Sequence, residues 1–244
     1  MMSRTICLDF GNTRLKCAVF SGAALEKLII LENDRVEAIR AITDSYKPEK
    51  SILSSVIDHD PEIEKWLQKV THFHKLNHLS KIPISTPVAN PSSIGADRIA
   101  LAVAAAHQFP KSNRLVVGLG SAITYNFINR YDEFMGGSIS PGMEMRFKSL
   151  NAFTAKLPLV KPEWNFPLIG YDTKTNILSG VILGTAKEID GTIAAYQEKY
   201  HNFNVLLCGG DANHLSRFLK CRIFVDPELI YKGLYLISEY NLLP

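Results

Sequence analysis

Nothing in the 244 residues forms an apolar run of about 18, the length that a membrane-spanning helix requires. At the start, Met1-Met2-Ser3-Arg4 runs almost directly to Asp9, so the apolar core of a secretion signal has no room. A soluble, cytoplasmic protein is expected. Cysteine is scarce and carries no pattern. Cys7, Cys17, Cys208 and Cys221 lie in apolar, strand-like runs with no C-x-x-C spacing, which points to buried reduced thiols and away from disulfides or a zinc site. Neither sign of charge dominates: 27 basic residues stand against 24 acidic ones, scattered along the chain. That leaves out the basic stripe on which nucleic-acid binding depends. His72, His74 and His78 have no acidic or cysteine partner at ligand spacing, so solvated strand residues are expected there.

What is present is a repeat. Asp9-Phe10-Gly11-Asn12-Thr13 returns as Gly118-Leu119-Gly120-Ser121-Ala122, with Gly11 in register with Gly120 and Asp9 with Gly118. Each copy follows a strand (Thr5 to Leu8; Leu115 to Val117), turns through glycine and enters a second strand (Leu15 to Phe20; Ile123 to Ile128), the pattern of a hairpin. A glycine in such a turn lets backbone N–H groups approach an anion with no side chain in the way. A hydrophobic content of 46% over this length allows two cores, each of roughly 110 to 130 residues.

The intervening pattern alternates between periods. Val36, Ile39 and Ile42 recur at helical spacing, Ile52 to Val56 reads as a buried strand, and Asp60-Pro61 opens a helix with Ile63, Trp66, Leu67 and Val70 on its inner face. Such alternation indicates α/β architecture. Lys81 to Pro91 is irregular, and a helix is expected from Ser92 or Ser93 through the alanine-rich stretch to His107. The break at Phe109 to Asn113 divides the chain into domains 1–110 and 111–244, with a cleft expected between them. Beyond it, Gly136 to Gly142 reads as a turn-rich loop leading to a helix over Met143 to Leu150. A long helix covers Thr175 to Lys199, and strand Val205 to Leu207 leads into Gly209-Gly210-Asp211-Ala212 and a short helix.

Duplicated domains that each open on such a hairpin resemble the actin-like (ribonuclease-H-like), sugar-kinase-like ATPases. More narrowly, the chain resembles the type III pantothenate kinases. Asp9 to Lys16 matches the family's D-x-G-N-T-x-x-K motif, Gly95-Ala96-Asp97-Arg98 matches G-A-D-R, and Gly120 to Thr124 matches most of D-x-G-T-A-x-T. Gly136 to Gly142, Thr154 to Pro158 and Gly209 to Ala212 match further family segments in the family's order.

The resemblance implies ATP-dependent phosphorylation of pantothenate, the first step towards coenzyme A, by a homodimer that acts on no nucleic acid and no membrane. Asp9 would hold Mg²⁺ through water, and Gly11, Asn12, Thr13, Lys16, Gly120, Ser121, Gly209 and Gly210 would line the ATP site. Asp97 would be the general base, with Gly95, Ala96, Arg98 and Thr173 beside the substrate. Without the resemblance, each of these residues also fits a plainer role. Asp9 could be a turn former, Lys16 a solvated strand residue, Asp97 a favourable charge at a helix start, Thr173 a helix cap and Gly209-Gly210 a plain turn.

The chain also departs from the family pattern. Gly118 stands where members carry an Asp that binds potassium or ammonium, and glycine brings no side-chain oxygen. Ser121 replaces Thr, Asn126 replaces Asp, Cys208 replaces Thr or Ser, and Val88 stands where many members have Tyr. Losing one preorganised electrostatic element can cost on the order of 10² to 10³ in rate, but Asp97 and the first phosphate loop are complete, so a working kinase with altered cation dependence is expected. Two rival readings follow: a nucleotide-binding regulatory relative of the accessory-factor kind, or a kinase for another small acid.

Overall fold

The computed structural model describes residues 3 to 242. The chain forms two compact units: one runs up to Gln108 and takes in the chain from Leu229 onward, and the other runs from Phe109 to Glu228.

In the first unit, β1 (Arg4–Phe10), β2 (Leu15–Ser21) and β3 (Ala24–Leu31) form an antiparallel meander. Helix α1 (Val36–Tyr46) carries the chain to β4 (Lys50–Ser55), parallel to β1, and α2 (Pro61–Val70) carries it to β5 (His72–Lys75). Helix α3 spans Ala96–Gln108. The start of α2 is set locally: the Asp60 carboxylate accepts the Glu62 N–H at 2.9 Å and Pro61 fills the first turn, where no donor is needed. Such a cap is worth about 1 kcal/mol.

Alternation along β1 divides its side chains between two faces. Ile6, Leu8 and Phe10 enter a core with Ile39, Ile63 and Leu67 beneath α1 and α2. Thr5, Cys7 and Asp9 therefore point to the opposite face, where α3 and the C-terminal helix pack.

In the second unit, β6 (Asn113–Leu119), β7 (Ala122–Ile128) and β8 (Phe134–Pro141) repeat the meander. Helices α4 (Met143–Ala152) and α5 (Thr173–Lys199) lead to β9 (Phe203–Gly209), parallel to β6, followed by α6 (Ala212–Leu215) and β10 (Phe224–Val225). The strand orders are β3-β2-β1-β4-β5 and β8-β7-β6-β9-β10. Position for position these are the same sheet, so the repeat read in two five-residue segments extends to a whole topology. Leu115, Val117 and Leu119 pack with Ile182, Ile189 and Ile193 of α5. The last helix, α7 (Leu229–Leu242), then returns to the first unit.

Several expectations are corrected. The division near residue 110 lies close to the break after Gln108, but the segment from Leu229, assigned to domain 111–244, belongs with the first unit. Ser92 and Ser93 lie in a single 3-10 turn, Pro91–Ser93, and Ile94 is extended (φ −78°, ψ 125°), so α3 starts only at Ala96. Residues 136 to 141 are strand β8, not loop. Gly136 (φ 96°) and Gly137 (φ 153°) adopt backbone angles that other residues avoid, beside a register shift: Phe127 pairs with Gly136 and Ile128 with Phe134, which leaves Met135 as the bulged residue. Val70 is 38% exposed because α2 ends there. His72 and His74 lie on β5 and His78 in the turn beyond, with His74 Nε2 2.8 Å from Ser80 Oγ. Cys7, Cys17 and Cys208 are buried strand residues, whereas Cys221 is half-buried outside any strand. No described helix is long and apolar enough to cross a membrane.

Candidate active site

Asp9 is the penultimate residue of β1. After Phe10 the chain turns, with the Gly11 N–H donating to the Arg14 carbonyl at 3.2 Å and Asn12, Thr13 and Arg14 exposed. Register places Asp9 opposite Lys16 on β2 and opposite Ser54 on β4. Paired residues point to the same face, so a carboxylate, an ammonium and a hydroxyl are gathered at the ends of three adjacent strands. Lys16 Nζ lies 6.0 Å from the ring centre of Tyr231 on α7. Ser54 is 1% exposed, and its hydroxyl has no hydrogen-bond partner among the described residues. An unsatisfied buried hydroxyl is costly and calls for an explanation; here it stands beside the carboxylate on which the site depends.

The Gly95-Ala96-Asp97-Arg98 segment supplies the start of α3. The Gly95 carbonyl accepts from Arg98 N–H at 3.0 Å and Ile99 N–H at 3.2 Å, which puts Asp97 in the first helical turn. A Cβ on Gly95 would run into the Asp97 carboxylate, so glycine leaves the space that this side chain occupies. Asp97 also acts on Asp9. The Asp9 carboxyl is raised from 3.8 to about 6, first by burial and then by the charge of Asp97, with Lys16 pulling it partly back. The end of the central strand and the helix start thus bring Asp9 and Asp97 within electrostatic reach in one unit.

Two partly desolvated carboxylates with one lysine between three strands form a setting that a hard cation would stabilise. Among the described residues no group of three or more His, Cys, Asp or Glu could hold a metal ion. Asp9 and Asp97 are a donor set that fits the habit of Mg²⁺, which takes one or two carboxylates and completes its shell with water and phosphate oxygens.

The second glycine turn is built more tightly. Gly120 N–H donates to the Ala122 carbonyl at 3.1 Å, and Gly142 N–H, just before α4, donates to the Ser121 carbonyl at 3.2 Å. A Cβ on Gly142 would collide with the Gly120 and Ser121 carbonyls, and one on Gly209 (φ 97°) with the Leu119 backbone. Gly209 is the register partner of Leu119. The Gly209-Gly210 turn and the Gly120-Ser121 turn are consequently neighbours at the same end of the sheet, held together by close backbone approach.

Gly118, also in this sheet, pairs with Thr124 and Cys208. The Asn126 amide donates to the Val116 carbonyl and to Thr124 Oγ1, and the Cys208 thiol to the Val117 carbonyl. Gly118 brings no side-chain oxygen, and these three neighbours, a hydroxyl, an amide and a thiol, add no carboxylate of their own.

Thr173 is the first residue of α5, where the cap is Asp172: its carboxylate accepts the Thr175 N–H at 2.7 Å in a full capping box. Thr173 lines an open cavity of about 600 Å³ with Arg146, Leu150, Leu157, Asn176 and Gly180. Arg146 pairs with Glu188 on α5, which also accepts from Tyr125 Oη at 2.9 Å and Ser140 Oγ at 2.5 Å. The predicted residues thus fall into two sets. The first unit holds Asp9, Gly11, Asn12, Thr13, Lys16, Gly95, Ala96, Asp97 and Arg98, and the second holds Gly120, Ser121, Thr173, Gly209 and Gly210. The structure adds Ser54, Gly142, Arg146 and Glu188, which sequence reasoning misses. Gly142 sits inside a matched segment; for Glu188, in the middle of a long helix, the sequence carries no signal.

Two sheets of identical order, each opening on a glycine turn between its first two strands, define a duplicated fold of the actin-like, sugar-kinase-like kind. A solved inorganic polyphosphate/ATP-glucomannokinase from Arthrobacter shares this fold, with a TM-score of 0.51 at 12% identity over 98% of this chain and 99% of that one. Within the class, the sequence profile described as type III pantothenate kinase matches residues 5–195. Type III pantothenate kinases of Cytophaga hutchinsonii and Christiangramia forsetii are 44% and 40% identical over 97% of this chain, covering 99% and 98% of their own lengths. The chain belongs to the type III pantothenate kinase family.

Proposed function

We propose that this chain transfers the γ-phosphoryl group of ATP to the terminal hydroxyl of pantothenate, yielding 4'-phosphopantothenate and ADP, the first step of coenzyme A synthesis. The observation that carries the reading, beside family membership, is the gathering in the first unit of Asp9, Lys16 and Ser54 at the ends of three adjacent strands, with Asp97 in the first turn of α3. Phosphoryl transfer requires mainly an oriented nucleophile and a way to spread charge over the transferring oxygens.

In this reading Asp97 accepts the proton of the attacking hydroxyl, and its place in the first turn of α3 aims the carboxylate. Gly95, Ala96, Arg98 and Thr173 contact pantothenate, with the Arg98 guanidinium suited to its carboxylate. Gly11, Asn12 and Thr13 offer donors to the phosphates, and Lys16 adds a point charge. Gly120, Ser121, Gly209 and Gly210 let the nucleotide approach backbone. Mg²⁺, when bound through Asp9 and its water shell, neutralises charge on the phosphates. No step is assigned to potassium or ammonium, because Gly118 brings no side-chain oxygen to that position.

The second unit exposes Met135, Ile139, Phe153, Leu168, Ile169 and Tyr171, all at least half exposed. So many large apolar side chains in one stretch favour an association surface, and a homodimer is the assembly we infer. Reduced cysteine thiols and ATP as donor suit a cytoplasmic setting. The reading is tested by following ADP release with ATP and Mg²⁺, with and without pantothenate. Release that depends on pantothenate supports it, and ADP release indifferent to pantothenate contradicts it.

A further inference from the structure

Helix α7 lies beyond the residues that the family profile matches, yet it packs in the first unit against α3, β1 and β4. At Gly233 it comes up against α3 backbone. A Cβ there would run into the carbonyl oxygen, carbonyl carbon and Cα of Ala100, all backbone atoms of α3. Backbone in the middle of a helix cannot swing aside as a flexible side chain does, so any side chain at position 233 must move one helix off the other.

Three glycines of α5, Gly180, Gly184 and Gly191, make the contrast: a Cβ on any of them meets nothing within 4 Å. Glycine inside a helix costs about 1 kcal/mol relative to alanine, so Gly233 is unfavourable for α7 taken alone and required by the contact. Nor is α7 free to withdraw. Tyr235 stacks on Phe20 at 4.8 Å, Glu239 pairs with Lys50 at 2.9 Å, and the Asn241 amide exchanges hydrogen bonds with the Lys81 backbone at 2.8 and 2.9 Å. Ala100 follows Asp97 by three residues, which is about one helical turn. Displacement of α3 at Ala100 therefore carries Asp97 with it.

We propose that Gly233 is a positioning residue: by letting α7 and α3 touch through their backbones, it fixes where α3 presents Asp97 to the sheet end that bears Asp9. This rests on Asp97 being the base of the proposed reaction. Misplacing a reacting group by about 1 Å can cost on the order of 10² in rate, so a methyl group far from the chemistry should be felt there.

The test compares Gly233→Ala with Gly191→Ala, the same substitution where there is room. Steady-state kinetics are paired with amide hydrogen exchange over α3. Gly233→Ala should lower kcat by about tenfold or more, leave KM for ATP within about twofold, and speed exchange in α3 but not in the second unit. Gly191→Ala should change none of these. A Gly233→Ala protein with wild-type kcat and wild-type exchange in α3 overturns the proposal. Should the wild-type chain fail to phosphorylate pantothenate, the kinase reading falls, and α3 exchange alone still decides the packing claim. Should Gly233→Ala fail to fold, Tyr235→Leu, which loosens α7 from Phe20 without adding volume, should lower kcat severalfold at constant KM for ATP; unchanged kcat in that variant overturns the proposal.

Discussion

The charge of Asp97 raises the pKa of Asp9, a contribution second only to burial and opposed by Lys16. One carboxylate ends a strand and the other begins a helix, and the fold of the first unit brings them together. The arrangement is unfavourable in itself: like charges in a partly desolvated place raise the cost of ionisation. A protein that binds a divalent cation and a polyphosphate there gains from that same arrangement, because the cation relieves the repulsion.

The cost can be measured as stability. With Asp9 held at about 6 against an ordinary 3.8, the folded chain keeps its proton more tightly than the unfolded one, so stability falls as pH rises from about 4 through 6 and the loss is complete above that range. Asp9→Asn removes the ionisation. Its Tm at pH 7.5 should exceed that of the wild type, by about 2–4 °C per kcal/mol relieved, and the gain should vanish near pH 4, while Mg²⁺-dependent turnover is lost. A variant no more stable than wild type at pH 7.5 would count against the coupling.

Gly95 holds open the space into which the Asp97 carboxylate folds. Gly95→Ala should displace that carboxylate without unfolding the helix, since the atom in the way belongs to a side chain able to rotate. The expected result is a kcat lower by about 10 to 10² with KM for ATP little changed. Equal kcat in variant and wild type would detach Gly95 from the chemistry.

The lack of a side-chain oxygen at Gly118 predicts a kinase whose rate responds weakly to potassium. Initial rates with potassium chloride against an equal concentration of choline chloride should differ by less than about twofold, whereas loss of an electrostatic element of catalysis costs on the order of 10² or more. Gly118→Asp should increase the potassium response. If wild type is already strongly potassium-dependent, another ligand set serves the cation.

Legibility in the sequence depends on how local each signal is. The Asp9-to-Thr13 turn and the Asp60-Pro61 helix start are written in neighbouring residues, and the structure has them where the pattern puts them. The start of α3 is misplaced by local pattern because Ser92 and Ser93 are good caps, while the extended Ile94 and the Gly95 carbonyl decide the matter. Gly136 and Gly137 have the propensity of a loop, and only pairing with β7 makes them strand. The return of α7 to the first unit is a long-range event that no local pattern marks: Gly233 looks like a helix breaker until Ala100 is seen beside it. Ser54 is equally silent in sequence, being one of three serines in β4 until register sets it opposite Asp9.

The central claim is that Asp97 drives phosphoryl transfer to pantothenate. It is tested most directly by mass-spectrometric detection of phosphopantothenate from purified protein with ATP, Mg²⁺ and pantothenate, run beside Asp97→Asn with nucleotide binding measured on both. The account predicts product from the wild type, a loss of at least about 10² in the variant and near-equal ATP affinity. Product formed at a similar rate by Asp97→Asn, or none from a wild-type protein that binds ATP, would contradict it.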